Sequence, residues 1–246
     1  MHNISAHEDT GIKKEEVFFM CERFSLTAEL PELSERYRIA RVTYDYKPRY
    51  NIAPTQQVAV IVRGTESRML EEHRWGLVPF WGKDAVNADS AAVHEKPAYR
   101  KLFGKQRCII PSNGFYVWKT EGKTRRPVRV VMKDRGIFAM AGLYEIWKDS
   151  RGGEIRTCTV MTTRSNRLVF DYDERMPVIL DERDIEMWLD PTMNGEPDRL
   201  QSLLRPYAPE RMHAYPVSPR VADPLVESEE CVEEAVVPVK YALLKR

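Results

Sequence analysis

Six short runs constrain this chain more than any other feature. They span residues 58–62, 107–110, 115–118, 128–132, 137–141 and 157–162. Each is rich in β-branched or aromatic residues and bounded by Gly, Pro, Asn or Asp. Such side chains crowd a helix but pack well on a pleated surface. Helical signals are few. Residues 26–38 place Leu30, Leu33 and Tyr37 at helical spacing. Residues 181–189 read as a helix with Asp181 at its start, and 198–204 as another. Lys133-Asp134-Arg135-Gly136, between two of the runs, reads as a hairpin turn. Many short strands and few helices predict an α+β fold: a curved or barrel-like antiparallel sheet with a few peripheral helices.

With 246 residues, 43% of them hydrophobic and 30% charged, the chain can build a sizeable core, which excludes wholesale disorder. Its 38 cations against 37 anions exclude a globally basic nucleic-acid binder but leave room for a local basic face. The longest apolar stretch, around 137–144, is too short for a membrane span, and the first twenty residues lack the apolar core of a signal peptide. A soluble cytoplasmic protein with no membrane partner is the expectation. Cys21, Cys108, Cys158 and Cys231 form no CxxC pair and have no His at metal-ligand spacing. An even count leaves a secreted disulfide protein as the alternative. Residues 1–19 are polar and irregular, and residues 227–234 are acidic and suggest a solvated tail.

Charge is concentrated between Tyr99 and Arg135, where eleven Lys or Arg are opposed only by Glu121 and Asp134. Phe103, Phe115, Tyr116 and Trp118 are interleaved with them. A positive groove with exposed rings suits single-stranded nucleic acid, because phosphates need cations and unstacked bases need a flat partner. The same segment equally describes a solvated strand face whose aromatics point into the core.

More specific are several stretches taken together. They are Met20-Cys21-Glu22-Arg23-Phe24, Pro48-Arg49-Tyr50-Asn51-Ile52-Ala53-Pro54-Thr55, Arg74-Trp75-Gly76-Leu77-Val78-Pro79 and Asn87-Ala88. Glu95-Lys96-Pro97, Arg107-Cys108-Ile109-Ile110-Pro111 and Gly114-Phe115-Tyr116 follow. Ala141-Gly142-Leu143-Tyr144-Glu145, Thr162-Thr163 and Arg175-Met176-Pro177-Val178-Ile179-Leu180 complete the set. In this order and spacing the chain resembles the SOS-response-associated peptidase (SRAP) family, the abasic-site-processing proteins. The resemblance implies an SRAP domain over residues 20–225, with an extension at 1–19 and an acidic tail at 226–246.

It further implies that the Met before Cys21 is removed. The α-amine and thiol of Cys21 then capture the aldehyde of a ring-opened abasic site in single-stranded DNA as a thiazolidine. A peptidase activity toward the protein's own N-terminal residues is also implied. No metal or organic cofactor is implied, and a monomer is expected. The chemistry is independently reasonable. An α-amine has a pKa of about 7.7–8.0 against about 10.4 for Lys, so its neutral fraction at pH 7 is roughly a few hundred-fold larger. A thiol on the same residue closes a five-membered ring onto the imine carbon in an effectively unimolecular step.

Nineteen residues precede Met20. Lys13-Lys14-Glu15-Glu16-Val17 can be encoded by purine-rich codons containing AGGAGGT, a bacterial ribosome-binding sequence. Translation is therefore expected to begin at Met20, in a bacterium, with the protein on the nucleoid when bound to DNA. Processing of the first twenty residues is the alternative.

Other positions carry over one at a time. The family's active-site Asn matches Asn87, but the Arg of its Asn-Ala-Arg-Ala-Glu motif is Asp89. Its Glu in Phe-Tyr-Glu-Trp is Val117, and its His before Arg-Met-Pro is Asp173, a candidate substitute in acid–base catalysis. The Gly after the Cys is Glu22. The resemblance gives DNA-binding roles to Arg23, Asn51, Trp75 and Arg175. Val117 cannot transfer a proton. Asp173 can, but with a reference pKa near 3.9 it is a poor donor at neutral pH unless buried. Asp89 puts a negative charge where the family has a positive one, and Arg175 or another cation is a candidate partner for it. Cys108 and Cys158 read as core thiols and His73 as a strand residue, while His94 and His213 have no partner visible in sequence. Three readings follow: a covalent abasic-site binder, a non-covalent single-strand or damaged-DNA binding module, and an autopeptidase.

Overall fold

The structure, a computed structural model, describes residues 22–78, 85–148 and 152–235. Met20, Cys21 and the extension before them lie outside the described residues.

The first half of the chain forms β1 (Phe24–Leu26), α1 (Leu30–Tyr37), β2 (Ile39–Val42), β3 (Arg49–Ile52), β4 (Gln57–Arg63), β5 (Arg68–Trp75), β6 (Asn87–Asp89) and α2 (Pro97–Lys105). Then come β7 (Arg107–Ser112), β8 (Gly114–Glu121), β9 (Thr124–Met132), β10 (Phe138–Lys148) and β11 (Glu154–Arg164). Shorter elements close the fold: β12 (Arg175–Pro177), β13 (Ile179–Leu180), α3 (Glu182–Leu189), α4 (Pro197–Gln201) and β14 (Met212–Pro216). The fold class is the α+β expected.

Two sheets share the strands. In the larger, β11, β10, β7, β4 and β5 are paired in sequence, and a parallel pairing of β5 with β11 (Thr157↔Arg74, Cys158↔Trp75) closes them into a five-stranded barrel. Closure leaves the ring without an edge of its own. β12 and β6 add to β11, and β2 to β5. Pairings are antiparallel except for those of β2 with β5, β5 with β11 and β6 with β11. The smaller sheet has the order β14-β9-β8-β1-β3.

The chain passes from barrel to smaller sheet through Ser112, Asn113 and Gly114. Arg129, 5% exposed, crosses this junction and donates to Ser25 Oγ (2.9 Å), the Asn113 carbonyl (3.1 Å) and the Tyr215 hydroxyl (2.6 Å). A Cβ on Gly114 would lie 2.5 Å from Arg129 Nε, so glycine is what lets the guanidinium through. The strand period of two then splits the smaller sheet. Phe115, Val117, Val128, Val130 and Met132 face the main core, while Tyr116, Val131 and Tyr215 face outward. That outer face is covered by a strap that follows β14, with Val217, Val221 and Cys231 buried against it.

Several sequence expectations are corrected. The helix read over 26–38 is shorter, because residues 24–26 are drawn into β1 between β3 and β8. Pro31 lies in its first turn, and Arg38, at φ 53°, ends it. The turn at 133–136 is real, with Asp134 Oδ1 accepting from the Gly136 N–H (2.9 Å), but it is no hairpin. β9 pairs with β8 and β14 while β10 pairs with β7, β11 and β13, so the turn carries the chain between sheets. The tight hairpin is β8–β9, closed by Gly122 at φ 61°. The helix read over 198–204 ends at Gln201, and Leu203 and Leu204 turn inward as buried residues. Residues 226–235 are not a solvated tail. Cys231 is fully buried, Tyr215 donates its hydroxyl to the Val232 carbonyl (2.8 Å), and the Ala235 N–H returns to the Pro216 carbonyl (2.8 Å).

Candidate active site

On the barrel side, β6 lies parallel to β11, with Asn87 opposite Val160, Ala88 opposite Met161 and Asp89 opposite Thr162. β12 lies on the other side of β11, with Arg175 opposite Arg164. Arg175 reaches across β11. It donates to the Thr162 carbonyl (2.7 Å), to Thr162 Oγ1 (3.2 Å from Nε, 3.0 Å from Nη2) and to Asp89 Oδ1 (2.5 Å). Of the cations the sequence left open as partners for Asp89, the structure selects Arg175. It leaves Asn87 and Asp89 half-buried on the strand that bears them.

Asp173 sits at the entry to β12. Its Oδ1 accepts the Arg175 backbone N–H (3.0 Å). Burial raises its pKa above the ordinary carboxylate value; the Arg175 N–H and the Arg175 and Arg125 guanidinium groups pull the other way. Burial is the larger effect, so Asp173 holds its proton more readily than a solvated Asp does. Phe170, 62% exposed, is on the same loop. Nothing in the local sequence distinguishes it from a core aromatic.

On the sheet side, Val117 is 3% exposed and belongs to the main core. The Tyr116 N–H donates to the Arg23 carbonyl (3.0 Å), so β1 runs alongside β8 at this point. Arg23 Nη1 donates to Asn51 Oδ1 (3.0 Å) and the Val221 carbonyl (2.8 Å), and Nη2 to the Ala222 carbonyl (3.0 Å). Asn51 is fully buried. Its amide nitrogen faces the carbonyls of Val221 (3.2 Å), Asp223 (2.9 Å) and Val226 (2.9 Å). Asn51 therefore holds the strap and is not an accessible DNA contact.

Trp75 is likewise corrected. It is 0% exposed, packs edge-on against Phe24 at 5.0 Å and donates Nε1–H to the Val86 carbonyl (2.8 Å). A ring in that position offers no face to a base. It fixes the residue before Asn87 instead. Among the interleaved aromatics, Phe103, Phe115 and Tyr116 are core residues; Trp118 is half-buried, with the Arg125 guanidinium 5.8 Å from its ring centre. Two of the eleven cations are structural. Arg129 spans the sheet junction, and Arg107 donates to the carbonyls of Phe103, Trp188 and Asp190. Lys119, Lys123, Arg125 and Arg126 cluster on the β8–β9 hairpin.

The remaining nucleophile candidates are inert. Burial pushes the thiols of Cys108 and Cys158 up, and these and Cys231 are free. His73 is buried against Glu71 (2.9 Å), His94 pairs with Gln201 (3.0 Å), and His213 stacks on Tyr215. Among the described residues no cluster of three or more His, Cys, Asp or Glu is arranged to hold a metal ion. No helix among them is long and apolar enough to cross a membrane.

A barrel closed through a parallel pairing, a smaller flanking sheet and polar residues at their junction define an α+β architecture that recurs in solved structures. A crystal structure of a protein from Bacteroides thetaiotaomicron superposes with a TM-score of 0.77 at 28% identity, covering 88% of this chain and 100% of that one. The SOS response associated peptidase (SRAP) family matches residues 20–224, and the chain belongs to it. It is 41% identical over 223 residues to the abasic site processing protein YoqW of Bacillus subtilis, covering 87% of this chain and 99% of that protein. It is 28% identical over 242 residues to the abasic site processing protein HMCES of Gallus gallus, covering 81% of this chain and 69% of that protein.

Proposed function

We propose that this protein processes abasic sites in single-stranded DNA by linking to them covalently through Cys21. The observation that carries the reading is the position of Cys21: it follows a Met at the point where the family match opens, two residues before the Arg23 that begins the ordered junction of β1 with β8. The α-amine of Cys21 adds to the C1′ aldehyde of the ring-opened sugar, and water leaves to give the imine. The thiol then adds to the imine carbon, its proton passing to nitrogen, and the net change is loss of one water. Asp173 is the proton donor that dehydration needs, in place of the family His, because burial keeps it protonated to higher pH than a solvated carboxyl. The hairpin cations bind the phosphates on either side. Hydrolysis of the Met20–Cys21 peptide bond frees the amine, either as removal of the initiator Met when translation begins at Met20 or as autoproteolysis of the longer chain.

A non-covalent reading has its own support. Val117 is apolar and buried, and Asp89 is tied to Arg175, so two positions that bear ionisable groups in the family offer no free acid or base. One experiment separates the two. Protein beginning at Cys21 is incubated with single-stranded DNA carrying an abasic site and then denatured. A denaturation-resistant adduct, absent for Cys21→Ala, is the expected result. Single-strand binding without an adduct over hours would reject the covalent reading for the binding one.

A further inference from the structure

Arg23 lies two residues from Cys21, yet its guanidinium points back into the fold, to Asn51 and the strap carbonyls of Val221 and Ala222. Asn51 binds the same strap through Val221, Asp223 and Val226. From the other side, the Glu227 carboxylate accepts the backbone N–H groups of Tyr50 and Asn51 and the Arg49 Nε–H (2.8 Å). The Tyr116 hydroxyl donates to the Tyr50 carbonyl (2.8 Å) beneath it. The bonds to the strap join the start of the domain to a segment 170 or more residues later.

We propose that Arg23 and Asn51 are positioning residues: with residues 221–227 they form a latch that fixes the start of β1 and so aims the amine and thiol of Cys21. The proposal rests on the covalent reading. β1 has only three residues, and its first, Phe24, pairs with Ile52 of β3 and with Phe115 of β8, while the Tyr116 N–H donates to the Arg23 carbonyl just ahead of it. These bonds hold the main chain at residues 23 and 24. A planar guanidinium held by three oxygens adds a side-chain anchor one residue ahead of the strand, and its fork fixes orientation as well as distance. Two residues reach about 7 Å, so a tilt at Arg23 is passed on to Cys21 over that distance. A misplacement of about 1 Å at a reacting group can cost roughly 10² in rate. The Arg23 side chain is thereby spent on chain carbonyls, and a phosphate contact would require it to leave them.

Arg23→Lys separates these roles, because it keeps the charge and loses the fork. In protein beginning at Cys21, we expect Arg23→Lys to slow the limiting rate of adduct formation at saturating DNA by about tenfold or more. The dissociation constant and its salt dependence should stay unchanged. Asn51→Ala should do the same, and the double variant should be no slower than the slower single one, as for two parts of one unit. Should Asn51→Ala fail to fold, Glu227→Gln, which loosens the strap from its exposed side, takes its place. Hydrogen exchange at residues 22–24 should rise in each variant.

A fall in thermal stability with the limiting rate unchanged would make the latch merely structural and overturn the proposal. Additive rate effects would also overturn it. So would Arg23→Ala lowering the salt slope by about 0.7, the signature of one lost phosphate contact on a single strand. If the parent protein binds DNA and forms no adduct, the covalent reading fails and the positioning role with it. Hydrogen exchange would then still tell whether the latch exists.

Discussion

On the barrel side of the site, Asp89, Thr162 and Arg175, from β6, β11 and β12, and Asp173, on the loop entering β12, are joined to one another. On the sheet side, Arg23 and Asn51 are joined instead to main-chain carbonyls of a distant strap. The first arrangement is electrostatic and half-buried: the Arg175 side chain is 14% exposed and that of Asp89 43%. Its contribution is screened accordingly, and its chemistry can be retuned by single substitutions. The second is geometric. Its acceptors are main-chain carbonyls, so changing the side chains of the strap does not remove them. The contrast suggests that acid–base work belongs to the barrel side and aim to the sheet side.

The strongest test moves chemistry from one side to the other. If Asp173 is the working acid, Asp173→Asn should slow adduct formation by about 10²–10⁴, the usual worth of general acid–base help. Val117→Glu should then gain little, although a glutamic acid buried at that position would hold its proton near neutral pH. Single-turnover rates at saturating DNA decide this. Large acceleration by Val117→Glu with no loss from Asp173→Asn would place the missing acid on the sheet side and break the division of labour.

How much of this was legible in the sequence differs between the two sides for a physical reason. The strands at 58–62, 107–110 and 157–162 follow from β-branched runs, and opposite charge offered Arg175 as one of the cations that Asp89 could pair with, a choice that the fold makes. The barrel's closure did not, because β5 and β11 are joined by a parallel pairing that no turn announces. The strap was misread because its sequence is acidic. Glu227 looks solvated until its carboxylate is seen to cap two N–H groups of β3. Trp75 and Asn51 were read as DNA contacts because motif position does not encode burial. Cys21, which carries the proposed chemistry, was legible only through the family pattern.

A smaller effect tests the reassignment of Trp75. Phe at this position keeps most of the ring but loses the bond to the Val86 carbonyl, which still accepts from the Val160 N–H at 3.1 Å. Denaturant unfolding should show Trp75→Phe destabilised by about 1–2 kcal/mol, the cost of a lost buried hydrogen bond plus imperfect packing. Single-strand affinity and its salt dependence should be unaltered. Weakened binding with full stability would mean that the ring leaves the core to stack on a base, and the sheet junction would have to be counted as part of the DNA surface.

The smallest expected effect concerns the pH dependence of stability, and it probes Asp173 without DNA. Its pKa is raised in the folded protein, chiefly by burial, with Glu174 adding to the rise and the Arg175 N–H, Arg175 and Arg125 opposing it. Between the ordinary carboxylate value and the raised one, the folded protein holds a proton that the unfolded chain has already lost. Stability therefore falls as pH rises through that window and is level in this respect above it. Glu71 has the opposite sign. Its bond with His73 and the nearby Arg156 lower its pKa against burial, so its contribution is lost as pH falls. That contribution is common to wild type and variant and cancels in their difference. Asp173→Asn keeps an oxygen for the Arg175 N–H and cannot ionise. Its stability relative to wild type should therefore grow with pH through the window and then hold constant, measured by denaturant midpoints from about pH 3 to about pH 7. A relative stability that shrinks with rising pH would mean that Arg175 and Arg125 outweigh burial. Asp173 would then be an ion-paired carboxylate like Asp89, with no proton to give.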